Sequence, residues 1–213
     1  MLKIGLTGGI ASGKSAVGEM FVKLGAHLIQ ADAVAHRLME PGRPVYEEVV
    51  RRFGREILNP DGSINRPRLA EAAFGTSSGT SGGAPQRVKE LNEIVHPAVI
   101  DQENEWMEEI GRRDPNAIAI VEAALILEAG ATDRFDRLIV VTCQPEQRIL
   151  RFARRLGISE DAARAEVTRR MAAQIPDEEK IKAADFGIDN SGSLDATEQQ
   201  VRRVFAGLRE RPL

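Results

Sequence analysis

The sequence predicts an α/β protein: a five-stranded parallel sheet flanked by helices, interrupted by one long and one shorter helical section. Two observations carry this. Short apolar runs at Lys3 to Thr7, Ala26 to Gln30, Ala117 to Glu122, Leu138 to Cys143 and Phe186 to Asp189 alternate with helical patterns, as expected of parallel strands covered on both faces. The first run leads directly into Gly8-Gly9-Ile10-Ala11-Ser12-Gly13-Lys14-Ser15, a complete G-x-x-x-x-G-K-S sequence placed between a strand and a helix.

That motif has a physical reading at each position. Gly8 and Gly13 permit the turn and let the backbone approach a phosphate, and Ile10, Ala11 and Ser12 complete the cradle of N–H groups with Gly9. Lys14 reaches the β- and γ-phosphates as a point charge, and Ser15 offers a hydroxyl to Mg2+. A Gly-rich turn that binds nothing would not need all four fixed positions in this context. The chain is therefore expected to bind a nucleoside triphosphate on a P-loop nucleoside triphosphate hydrolase fold. Such loops serve kinases, switches and motors alike, so the reaction must be read from other residues.

Along the chain, the section from about Ala33 to Arg113 shows helical patterns without a strand signal. It reads as a separate lobe over the strand ends, where ligands of such sheets bind. Within it Asn59-Pro60-Asp61-Gly62 is a turn, and the Gly/Ser/Thr run at 75–84 is a loop with no Lys or Arg to serve a phosphate. A second helical section starts at Pro145, a favoured first helical residue. Ile149, Phe152 and Leu156 share one stripe, and Arg148, Arg151 and Arg155 another. Gly157-Ile158-Ser159 breaks the helix and Ser159 caps the next. Arginine-bearing helices inserted before the last strand read as a lid. The final stretch places Val201, Val204, Phe205 and Leu208 at helical spacing for packing on the sheet. One domain results: a core of about 1–32, 114–145 and 184–213, a lobe of about 33–113 and a lid of about 146–183.

Composition narrows the partners. A chain of 213 residues can bury a substantial core, and a net charge of −3 lacks the basic excess of a general nucleic-acid binder. The lone Cys143 lies in an apolar run and cannot form an internal disulfide. No stretch approaches the length of a membrane span, and no export signal is visible. A soluble, cytoplasmic protein without nucleic-acid or membrane partners is expected, with a monomer as the expected state and an oligomer as the alternative.

Beyond the loop, Asp32 follows the second run, so it is expected at the edge of the sheet that carries the loop. A carboxylate there can accept the proton of an attacking hydroxyl or orient it; a helix N-cap role fits the position equally. His36, four residues on, shares a helical face with Asp32, although a lone His is more often structural. Glu122 ends the third run as the acidic residue that holds Mg2+ through water does, and a solvent-facing carboxylate is nearly as good a reading; Glu128 is weaker. Arg148, Arg151, Arg154 and Arg155 can supply guanidinium groups to a triphosphate. Arg169, Arg170 and Gln174 lie further along the lid, with a solvated face as the default. The loop Ile188-Asp189-Asn190-Ser191-Gly192 can contact the base, or be an ordinary turn.

With these residues laid out, the chain resembles the dephospho-coenzyme A kinases nearly end to end. The likeness rests on Gly5 to Ser15, Ala31-Asp32-Ala33, Glu40-Pro41-Gly42, Ile94-Val95-His96-Pro97, Glu122 to Glu128, Gln174-Ile175-Pro176 and Ala184 to Gly192. It implies transfer of the γ-phosphoryl group of ATP, with Mg2+, to the ribose 3'-hydroxyl of dephospho-CoA, the last step of coenzyme A biosynthesis. By position it implies Asp32 as catalytic carboxylate, Arg151 as the lid arginine near the transferred phosphate, and Lys14 and Ser15 in their loop roles. It further implies ATP contacts from the loop, Arg151 and Asn190, substrate contacts from Asp32, His36, His96 and Leu125, and metal contacts from Ser15 and Glu122. The family often carries Asp-Ala-Asp where Gln30-Ala31-Asp32 stands, Gly where Ala11 stands, and Pro-Leu-Leu where Ala124-Leu125-Ile126 stands. A nucleotide-dependent switch is disfavoured by the absence of an Asn-Lys-x-Asp tetrad.

Overall fold

Parallel strands need buried apolar residues on both faces and crossover helices to cover them, and both are present in the computed structural model, which describes residues 1–74 and 85–210. The Gly/Ser/Thr run at 75–84 lies outside the described residues. Strands β1 (Leu2–Thr7), β2 (His27–Gln30), β3 (Ile118–Glu122), β4 (Arg137–Thr142) and β5 (Phe186–Asp189) fall in the five expected runs. They pair in the order β2-β3-β1-β4-β5, every pair parallel. The helices are α1 (Lys14–Lys23), α2 (Ala31–Leu38), α3 (Pro44–Phe53), α4 (Arg66–Phe74), α5 (Pro85–Arg113), α6 (Pro145–Leu156), α7 (Glu160–Ala172), α8 (Asp177–Ala183) and α9 (Leu194–Glu210). Among the described residues, no helix is long and apolar enough to cross a membrane.

Contacts divide the chain into two compact units, Met1–Gln30 with Met107–Leu213, and Ala31–Trp106. In the first, side chains alternate along the strands as the pleat requires. Ile4, Leu6, Ile139, Val141 and Ile188 join Val17 and Phe21 of α1 and Val201, Val204, Phe205 and Leu208 of α9 in one core. Leu138 and Val140 turn to the other face with Ile126. Parallel register sets Leu6 beside Glu122, Glu122 beside Gln30, and Thr142 beside Asp189. The carboxyl ends of all five strands therefore share one edge, with the phosphate loop leaving the central strand.

The helical section after β4 departs from expectation in several ways. Pro145 does open α6, Gly157 at φ 64° closes it, and the Ser159 hydroxyl accepts from the Ala162 N–H to cap α7. Ile149 and Phe152 are buried, but Leu156 is 54% exposed because it sits in the last turn beside the Gly157 break. Ile149, Phe152 and Ala153 pack on Ala163, Val167 and Ile10, so α6 and α7 grip the phosphate loop itself and belong to the first unit. A third helix, α8, follows.

In the second unit, Val34, Val45, Val49, Phe53, Ile57, Leu69, Val95 and Val99 are buried. The turn at Asn59-Pro60-Asp61-Gly62 is present: Asn59 and Gly62 close it through backbone bonds, between residues Leu58 and Ile64 that form an isolated antiparallel bridge. The unit ends earlier than the sequence suggests. Met107 and Ile110 in the last turns of α5 are buried, Gly111 faces Met1, and these turns cluster with the sheet.

Candidate active site

The phosphate loop is shaped by close approach. A Cβ on Gly8 would lie 2.2 Å from the Val141 carbonyl oxygen, and Gly13, at φ 93°, would bring a Cβ to 2.1 Å from Asn190 Nδ2. Helix α1 starts immediately after Gly13 with no side-chain cap and no acidic residue in its first turn. Among the described residues no side chain caps this helix N-terminus, whose N–H groups and positive dipole end favour an anion. Lys14 Nζ donates to the Gly8 and Gly9 carbonyls at 2.9 and 3.2 Å, which keeps its charge over the loop.

Beside the loop, Ser15 Oγ donates to Glu122 Oε1 at 2.7 Å, and Gln30 Nε2 donates to Glu122 Oε2 at 3.0 Å. Glu122 is 8% exposed, so its expected solvent-facing alternative is not realised. A hydroxyl whose proton is engaged by a carboxylate turns a lone pair outward, and hydroxyl with carboxylate oxygen is a hard donor set suited to Mg2+. Among the described residues no cluster of three His, Cys, Asp or Glu could hold a metal ion. The buried Cys143 thiol is held above its ordinary pKa, chiefly by burial.

The arginines separate by role. Arg151 donates to the Ser12 carbonyl at 3.1 Å and to the Asn190 carbonyl at 2.9 Å, and so stands against the loop. Arg148 does not join it as a solvent-facing partner for phosphate. It is 1% exposed, donates to the Cys143 carbonyl and is ion-paired with Asp177. Arg154 and Arg155 are exposed. Arg169 and Arg170 pair with Glu166, whose carboxyl is held at about 2, chiefly by the Arg169 hydrogen bond. Gln174 reaches the site by accepting from the Ile10 N–H at 3.3 Å.

Asn190 serves the loop backbone with its side chain. It is 5% exposed, Nδ2 donates to the Ser12 carbonyl at 2.9 Å, and Oδ1 accepts from the Thr197 hydroxyl at 3.0 Å. Both side-chain polar atoms are thereby engaged away from a base. Glu128, the weaker metal candidate, takes another role, pairing with the fully buried Lys180 at 2.7 Å. Leu125, after β3, is 47% exposed.

The first unit thus gathers the loop, Lys14, Ser15, Glu122, Arg151 and Asn190. The second carries Asp32, His36 and His96. Asp32 is the second residue of α2, in its first turn, so it is not the N-cap. His36 lies one turn on, with its pKa lowered by desolvation and by Arg66 against the opposite pull of Asp32. His96 is exposed on α5, in a depression lined with Lys89, Asn92 and Glu93. Sequence reasoning missed Gln30, Thr197, Asp177 and Lys180 as partners; α8 reads as a charged, solvated helix, so nothing local marks Lys180 for burial, and only the apolar Leu28-Ile29 pair before Gln30 hinted that a polar residue there needs satisfying.

A family model described as dephospho-CoA kinase matches residues 2–196. The chain belongs to the dephospho-CoA kinase family. It is 39% identical over 206 residues to the dephospho-CoA kinase of Corynebacterium efficiens, covering 97% of this chain and 96% of that one. It is 39% identical to that of Aquifex aeolicus, with both chains covered fully. Among solved structures, the dephospho-CoA kinase from Campylobacter jejuni superposes with a TM-score of 0.66 at 26% identity, covering 98% and 97% of the two chains. TT1252 from Thermus thermophilus gives 0.75 at 32%, covering 97% of each. A shikimate kinase from Acinetobacter baumannii, at 13% identity and a TM-score of 0.51 over 100% and 96%, shares the fold alone. Dephospho-CoA kinase relatives thus span the loop, both units and the carboxyl-terminal strand.

Proposed function

We propose that this protein transfers the γ-phosphoryl group of ATP to the ribose 3'-hydroxyl of dephospho-CoA, giving CoA and ADP, the last step of coenzyme A biosynthesis. The observation that carries this reading is family membership across nearly the whole chain together with an intact phosphate loop. The loop N–H groups and Lys14 hold the β- and γ-phosphates. Ser15 and, through water, Glu122 hold Mg2+, which when bound offsets phosphate charge and orients the phosphates. The 3'-hydroxyl oxygen forms a bond to the γ-phosphorus as the bond to the β,γ-bridging oxygen breaks, and the hydroxyl proton passes to the Asp32 carboxylate. Arg151 exchanges its carbonyl partners for the transferred phosphoryl oxygens, which bear the developing charge. His36, His96 and Leu125 contact the CoA substrate. With that reading go a cytoplasmic location and small-molecule substrates, without nucleic-acid or membrane partners, and a monomer with an oligomer as the alternative.

The test is ADP release from ATP and Mg2+ with dephospho-CoA, with shikimate, adenosine and AMP as competing acceptors and product mass measured. A product heavier than dephospho-CoA by one HPO3, formed from that acceptor only, is the expected result. ADP release that ignores the acceptor would overturn the assignment in favour of an ATPase or switch.

A further inference from the structure

We propose that Gln30 is a positioning residue for the cation-side carboxylate, an inference that rests on the reading of Ser15 and Glu122 as the metal-facing pair. Gln30 and Glu122 are the last residues of adjacent strands, and parallel register sets them side by side. The Glu122 side chain is buried and its terminal torsion is soft, so a buried carboxylate needs a donor on each oxygen both to be satisfied and to be held in one orientation. Those donors are the Ser15 hydroxyl on Oε1 and the Gln30 amide on Oε2.

The chemical character of these donors matters as much as their geometry. Both are neutral, so they fix the carboxylate without cancelling the charge that attracts a divalent cation. A Lys or Arg at position 30 would hold Glu122 equally well and quench it. The amide also leaves Oε1 to Ser15, so that the serine O–H stays directed at Glu122 and the serine lone pair faces outward for the ion. Partners that hold a metal-facing group in this way commonly contribute about 10- to 100-fold in metal affinity.

Gln30→Met removes the amide and keeps the length; Gln30→Asn retracts it by one methylene, and serves if the Met variant does not fold. The probes are Mn2+ binding in the presence of ADP, by paramagnetic resonance, and ADP binding in EDTA, by calorimetry. The expected result is a loss of about 10-fold in Mn2+ affinity with ADP affinity in EDTA unchanged, and a larger Mn2+ loss in Glu122→Gln. An unchanged Mn2+ affinity in the Gln30 variants, with Glu122→Gln impaired, overturns the role of Gln30 alone. An unchanged affinity in Glu122→Gln overturns the metal-facing reading of Glu122 and this inference with it. Equal losses of Mn2+ and metal-free ADP binding would make Gln30 a determinant of loop shape instead, and would overturn the proposal too.

Discussion

The guanidinium of Arg148 lies directly beneath Gly9: a Cβ at Gly9 would meet Arg148 Nη1 at 2.0 Å. The phosphate loop therefore rests on a buried cation whose charge is met by Asp177, 29 residues away in sequence. Removing one member of such a pair leaves the other buried without compensation, at a cost of about 3–5 kcal/mol. Because Asp177 is 25% exposed, the lower end applies, and Asp177→Asn should destabilise the protein by about 3 kcal/mol, or roughly 6–12 °C in Tm. Denaturant unfolding checks this. A change under about 0.5 kcal/mol, the size of an ordinary surface substitution, would mean that water already reaches Arg148.

The Lys180–Glu128 pair predicts an asymmetry. Lys180 is fully buried and Glu128 is 17% exposed and also accepts from the Ile175 N–H. Glu128→Gln strands a buried ammonium and should cost several kcal/mol, on the order of 3. Lys180→Met leaves a carboxylate that keeps a backbone donor and some solvent, and should cost less. The double variant Glu128→Leu with Lys180→Met should recover part of the loss, since apolar replacement of a buried pair is often neutral or better. Thermal unfolding of the three variants ranks them.

Ala11 is the positive-φ residue without a glycine's freedom among the described residues, at φ 53°. A left-handed conformation costs an L-residue about 1–2 kcal/mol, against which a glycine loses more entropy on folding. Ala11→Gly should therefore stabilise by about 0.5–1 kcal/mol, or a few degrees in Tm. Ala11 packs on the cluster of Ile10 with α6 and α7, so a fall in Tm would mean that this packing outweighs the backbone strain.

His36 gives a pH prediction. Its pKa is held below the ordinary 6.5, first by desolvation and then by Arg66, while Asp32 pulls it up. The unfolded chain thus binds more protons than the folded one just below that value, so this contribution to stability is present above about pH 6.5 and is lost as pH falls from there through the lowered folded value. Asp32→Asn removes the opposing pull and should lower the His36 value further. Proton NMR titration of the imidazole reads it, and an upward shift would contradict the Asp32–His36 coupling.

How much of this was legible in the sequence depends on range. The strands were plain because parallel strands buried on both faces read as apolar runs, and the loop because its chemistry is local and contiguous. The caps at Gly157 and Ser159 were legible for the same reason. The burial of Arg148 was not: its stripe on α6 looks solvated until Asp177 arrives from another helix to neutralise it. Gln30 with Glu122 required the knowledge that β2 and β3 are neighbours in register, which sheet order decides and periodicity does not. Asn190 looked like a turn residue or a base contact, and only its approach to Ser12 and Thr197 shows that it ties β5 and α9 to the loop.

Asp32 carries the sharpest functional prediction. It is exposed in the first turn of α2, two residues beyond the carboxyl end of β2. In the proposed reaction it gains a proton only as the acceptor oxygen bonds to phosphorus, so its contribution belongs to the transition state and not to binding of ATP. Asp32→Asn keeps the shape and removes the base. It should lower kcat by about 10²- to 10⁴-fold while KM for ATP changes little. If the variant instead keeps kcat and raises KM for dephospho-CoA, Asp32 orients the acceptor in both ground and transition states, and the proton leaves by another route.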